Sequence, residues 1–226
     1  MMMNLFSSFD PQSSMVMSLS LNWTISPICM LLIPNKFWLN SNYTTKTFTL
    51  LQLILKKEMK PIITNNINKG IIIIPMSLIL MISIQNMSGL FPYLFTTPSH
   101  MSMTFNLALP IWLTLMMYGW IKKTNFMFAH LVPYSSPSLL IPFMVIIETT
   151  SNLIRPITLS VRLAANLTAG HLILTLIENA SSTNTMTPLI TLLFTQIMLF
   201  LLETAVAIIQ AYVFSILVIL YISEIN

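Results

Sequence analysis

The chain has 226 residues, 55% of them hydrophobic and only 7% charged, with a mean hydropathy of +0.81. Soluble domains carry about 25% charged residues, so a water-facing surface is excluded and the chain reads as an all-α integral membrane protein. Ten basic and six acidic residues give a net charge of +4, too sparse for nucleic-acid binding. The single Cys29 excludes an intramolecular disulfide and a cysteine-based metal site. No metal or cofactor is expected. At about 20 residues per span the length allows five or six spans. With no repeat of 20–50 residues, residues 1–226 form one membrane domain.

Residues 1–35 hold a short polar terminus and a first hydrophobic stretch, 15–34, interrupted by Asn22, Trp23 and Pro27. Asp10 is the only charge before Lys36. The start therefore lacks the basic n-region of a signal peptide and the arginines of a transit sequence. Entry without a cleaved leader, or synthesis in the compartment served, is the expectation.

Residues 36–69 change character. Lys36, Lys46, Lys56, Lys57, Glu58 and Lys60 alternate with Phe37, Trp38, Phe48, Leu51 and Leu55. Positions 48, 51, 55 and 59 fall on one helical face, the pattern of an amphipathic helix lying on an anionic membrane surface. The competing reading is a solvated loop with scattered apolar residues.

Residues 70–123 contain two spans, 71–95 and 103–121. Pro75 in the first turn of one is tolerable, and Pro110 in the other suggests a kink or a late helix start. Lys122 and Lys123 stop the second span. Residues 124–137, with His130, Pro133 and Pro137, read as a loop; His130 lacks a second ligand at metal spacing.

The last two segments, 138–178 and 188–222, are too long for ordinary spans. As continuous helices they would measure roughly 60 and 50 Å against a hydrocarbon core of about 30 Å. Either the pair is a strongly tilted hairpin or it is broken at Pro156; tilt is the preferred solution. The total is about five transmembrane helices plus one surface helix. Basic residues cluster in 36–69 and at 122–123, and the connections near residue 98 and at 179–187 have none. Five spans then place the N-terminus outside and the C-terminus inside.

The polar residues of the hairpin are patterned. Glu148, Arg155 and Arg162 are seven apart, and a step of seven returns to within about 20° of the same helix face. Asn166 stays within about 40° of Arg162, whereas His171, nine residues on, lies about 180° away. Glu203 and Gln210 on the second helix are again seven apart. Small polar residues serve as packing glue between membrane helices, but ionisable groups at membrane depth are costly and mark ion or proton pathways. Two wet clefts on opposite faces, separated by a fixed charge, would carry protons across without a direct leak. Arginine suits the barrier because it stays charged when desolvated, whereas a buried lysine can neutralise. No second array of such sites is present, so the moving carboxylate belongs to another subunit.

At these residues the sequence resembles subunit a of the F-type ATP synthases in its mitochondrial version. The segment from Leu159 to His171, with Arg162, Asn166 and Gly170, is similar to the family's arginine motif. The segment from Glu203 to Tyr212, with Gln210, is similar to its last-helix motif. Both spacings are specific; the span order agrees along essentially the whole chain, and the first 60 residues agree in layout only. The resemblance implies a non-catalytic proton-channel subunit whose tilted hairpin faces a ring of c subunits. It implies that Arg162 is the essential arginine facing that ring, with Gln210 opposite it. Asn166, His171 and Glu203 would line an entry half-channel from the intermembrane space, and Glu148 would sit on the exit side toward the matrix. In bacterial relatives an acid and a histidine occupy the positions of His171 and Glu203 in swapped order, which keeps an acid–base pair suited to a relay. Arg155 receives no role. The implied location is the mitochondrial inner membrane, with the N-terminus toward the intermembrane space and the C-terminus toward the matrix. The implied partners are the c-ring, other membrane and peripheral-stalk subunits, and lipids. The alternatives are a self-contained secondary transporter, which would show inverted repeats and a midplane cavity, and a purely structural membrane subunit.

Overall fold

The structure is a computed structural model and describes residues 9–11, 15–16, 19–31, 33–34, 42–62, 70–91, 94–132, 137, 140–181 and 186–225. Lys36, Phe37, Trp38, Lys69 and Pro133 lie outside the described residues. Seven α-helices are described: α1 (Ile25–Met30), α2 (Tyr43–Met59), α3 (Ile73–Gly89), α4 (Met101–Lys122), α5 (Thr124–His130), α6 (Ile141–Ser181) and α7 (Met186–Ile225). Two-residue strands β1 (Met15–Val16) and β2 (Leu19–Ser20) pair antiparallel ahead of them. The protein is an all-α membrane protein. Three of the described helices, within α4, α6 and α7, are long and apolar enough to cross a membrane, and α3 is a shorter apolar helix.

The stretch 15–34 does not form one continuous helix. Its described residues make the small hairpin, a 3-10 turn over Leu21–Thr24 and the six-residue α1. Asn22 and Trp23 lie inside that 3-10 turn, which runs directly into α1, and Pro27, which lacks an N–H, sits in the first turn of α1 where none is needed. The segment read as a loop after Lys123 contains α5. Pro110 lies inside α4, nine residues past its start, so the late-start alternative is excluded. The helix likewise runs through Pro156 without a break. At 41 and 40 residues, α6 and α7 are each about 60 Å long.

Core packing follows from four-residue spacings. On α6, Leu159, Leu163 and Leu167 form a buried row; on α7, Phe214, Val218 and Ile222 form the facing one. Leu78 and Ile82 of α3 and Ala108 of α4 complete this core. Ala207, Ala211 and Ser215 on α7 are also buried, and small residues at every fourth position let neighbouring helices approach closely. Glu203 stands at the head of that inward row. Asn86 of α3 donates from Nδ2 to the Ala207 carbonyl at 3.2 Å in this interface.

A second cluster, Met59, Ile79 and Ile219, docks the end of α2 onto α3 and α7. The inward face of α2 differs in one position from the periodicity reading. Thr45 and Met59 are buried and Phe48, Gln52 and Leu55 half-buried, while Leu51 is exposed. Steps of three and four from Met59 back to Thr45 follow the 3.6-residue period more closely than a stripe through Leu51.

Candidate functional site

The antiparallel pair α6 and α7 carries every candidate residue. Two cross-helix contacts mark its register. At one end, Arg155 on α6 pairs with Glu224 on the last turn of α7. At the other, His171 Nε2 on α6 lies 3.7 Å from Glu203 Oε1 on α7. Seven residues from that second contact toward the first stand Ala164 on α6 and Gln210 on α7. Arg162 is two residues further, about 3 Å along the axis. Gln210 therefore falls within a turn of Arg162 in level, and is half-buried.

Opposite faces of α6 present opposite environments. His171 continues the buried row of Leu159, Leu163 and Leu167, four residues past its end, and its side chain is 17% exposed. Arg162 is exposed on the other face, with exposed Thr158 and Ala165 one turn away on either side. Among the described residues no acid pairs with it. Asn166, one turn on, is half-buried. An unpaired guanidinium in a helix long and apolar enough to cross a membrane is costly, by about 2.5–3.5 kcal/mol on insertion scales, unless it meets a counter-charge.

The Glu203 side chain is buried, and among the described residues neither carboxylate oxygen nor His171 Nε2 has a hydrogen-bond partner. Orphaned buried polar atoms are rare in structures and call for an explanation. The separation of 3.7 Å is outside direct hydrogen-bond range and is closed by a small side-chain movement. What brings the pair together is a glycine. A Cβ on Gly170 would meet Glu203 Oε1 at 2.6 Å, Cδ at 2.9 Å and Cγ at 3.3 Å, so only a residue without a side chain leaves room for this carboxylate. Phe9 packs edge-on against the His171 ring, with centroids 6.3 Å apart.

Glu148 is half-buried near the start of α6. It stands 14 residues before Arg162, about 21 Å along the axis. It is thus on the same stripe as Arg162 but distant from the His171–Glu203 pair. Arg155 sits between them and is not free: besides Glu224 it has the Tyr221 ring under its guanidinium, 5.2 Å from the centroid.

Four contributors are not singled out by the sequence pattern. Gly170 stands there only as part of a motif. Tyr221 and Glu224 carry no local signal, although Glu224 is the one acid after Glu203 and an antiparallel register brings it toward Arg155. Asn86 lies inside an apolar run with the composition of an ordinary span.

Residues 15–223 match the family described as ATP synthase A chain. ATP synthase subunit a of Locusta migratoria is 49% identical over 225 residues, covering 100% of both chains. The subunit a sequences of Anopheles quadrimaculatus and Drosophila melanogaster are 50% and 48% identical, again over the whole of both chains. Matched along its length by the family and by full-length relatives at about half identity, the chain belongs to the ATP synthase subunit a family.

Proposed function

We propose that this protein is the proton-translocating stator subunit of a mitochondrial F-type ATP synthase, with two offset half-channels separated by Arg162. As a family member it is a membrane subunit and not the catalytic part of the complex. The observation that carries the proposal is the opposition on α6. An exposed, unpaired Arg162 lies on one face, and a buried acid–base pair, His171 and Glu203, lies toward the other.

Protons enter from the intermembrane space past Asn166, His171 and Glu203 and neutralise a carboxylate on the c-ring. The neutral carboxyl can then leave the polar face and travel through lipid as the ring turns. On return it meets Arg162, whose fixed charge favours the ionised form, and the proton departs toward the matrix by the Glu148 cleft. Gln210, level with Arg162, offers an amide that can hydrogen-bond the carboxyl in either state. Because α6 and α7 are about twice the hydrocarbon thickness, they lie strongly tilted along the ring. The surface reading of α2 is supported by exposed Leu50, Leu53 and Ile54 beside Lys46, Lys56 and Lys57, a face suited to the anionic leaflet. With the basic segments on the matrix side, the N-terminus faces the intermembrane space and the C-terminus the matrix. The c-ring, other membrane and stalk subunits, and inner-membrane lipids are the partners.

Arg162→Ala in the assembled complex, reconstituted into proteoliposomes, is expected to abolish ATP synthesis driven by a proton gradient while assembly persists. Normal ATP-coupled proton pumping by that variant would overturn the proposal.

A further inference from the structure

Arg155 and Arg162 occupy one stripe of α6, seven residues and about 10.5 Å apart along the axis, yet their side chains are treated differently. Arg162 is exposed and, among the described residues, in no ion pair. Arg155 is bound on two sides by α7. Its Nη1 donates to Glu224 Oε2, and its guanidinium lies over the Tyr221 ring at 5.2 Å. Side-chain exposures of 27% for Arg155 and 42% for Glu224 make this a partly solvated pair. Such pairs add little to fold stability, which leaves room for a role other than holding α7 to α6.

We infer that Glu224, assisted by Tyr221, is a positioning residue that withdraws Arg155 from the rotor-facing stripe, so that one free guanidinium meets each ring carboxylate. The inference rests on the ring-facing reading of Arg162. An arginine is charged at any working pH, so Arg155 cannot be silenced by losing its proton; it must be given a counter-charge. Without Glu224, α6 would present two free cations to the rotor two turns apart. A ring carboxylate deprotonated at Arg162 would find a second attractive site toward the Glu148 end of α6 and dwell there. The aromatic face beneath the guanidinium adds a cation–π contact that holds Arg155 toward α7 while its partner carboxylate exchanges with water.

The test is a double-mutant comparison in assembled ATP synthase in proteoliposomes, reading proton-driven ATP synthesis per assembled complex. E224Q leaves Arg155 unpaired and is expected to slow synthesis on the order of tenfold, the scale of an orphaned charge partner discounted for partial exposure. R155Q, which removes the competing charge itself, is expected to slow it by less than about twofold, and R155Q/E224Q to recover to within about twofold of wild type. A simple cross-helix tie predicts the reverse pattern, with all three variants equally slow. That result, or an E224Q rate equal to wild type, overturns the inference. If E224Q fails to assemble, a slow R155Q overturns it equally well. The ring-facing reading is judged separately in the same preparation by Arg162→Ala. Loss of synthesis there with a silent E224Q sinks only the present inference, whereas normal pumping by Arg162→Ala removes its premise.

Discussion

Gly170→Ala isolates the geometry of the acid–base pair from the stability of the fold. The added Cβ would stand 2.6 Å from Glu203 Oε1 and 2.9 Å from its Cδ, against 3.4 Å for ordinary contact. The carboxylate must therefore shift by several tenths of an ångström or turn to another rotamer. Because the obstructed atoms are the end of a flexible side chain, the helices need not separate. An off-rotamer side chain costs about 0.5–1.5 kcal/mol. Replacing a mid-helix glycine by alanine returns roughly 0.5–1 kcal/mol. The two nearly cancel, so the complex should assemble and melt within a few degrees of wild type. Proton transfer is less forgiving: displacing a reacting group by about 1 Å can lower a rate about a hundredfold. Gly170→Ala should thus lower proton-driven ATP synthesis by about ten- to a hundredfold. The assay is synthesis in proteoliposomes, normalised to intact complex on native gels. A wild-type rate would refute the idea that Gly170 places the Glu203 carboxylate. Loss of the assembled complex would refute the idea that the carboxylate, and not the backbone, absorbs the clash.

Two further outcomes follow from the packing and the chemistry. Glu203→Gln keeps the shape of the buried side chain but cannot accept or release a proton. It should slow synthesis and alter its dependence on the pH of the entry side, and an unchanged pH–rate profile would count against a relay through Glu203. Ala211→Leu forces three extra carbons into the buried small-residue row of α7, an overpacking cost of about 1–3 kcal/mol; the expected readout is a lower melting temperature in detergent, and an unchanged one would show that this row does not set the helix spacing.

Which parts of the site could be read from the chain depends on how far apart its members lie. The opposition of Arg162 and His171 is a property of one helix, since nine steps of 100° amount to two and a half turns. The stripe of Glu148, Arg155 and Arg162 is equally local, but it misleads about Arg155. Periodicity gives the direction of a Cβ and says nothing about a partner 69 residues away in sequence. The same limit applies to Asn86, whose buried bond to Ala207 spans 121 residues. Segment ends are less legible. Residues 15–34 have the composition of a span but carry Asn22, Trp23 and Pro27, and the local backbone preferences prevail over the average hydropathy. At Pro110 and Pro156 the balance is reversed: each proline removes one hydrogen bond, and the long apolar helices around them persist.

The sequence by itself determined that this is an all-helical membrane protein, that its last two helices exceed a bilayer, and that a charged and an ionisable residue occupy opposite faces of one of them. These are consequences of hydropathy and of the 3.6-residue period, and both act over a few turns. Only the tertiary structure decided that His171 meets Glu203, that Gly170 makes the space for that meeting, and that of two similar arginines Arg155 is neutralised by Glu224 while Arg162 stays free. Those outcomes depend on the register between α6 and α7. That register is set by which buried rows fit together across the interface, and no single helix carries the information.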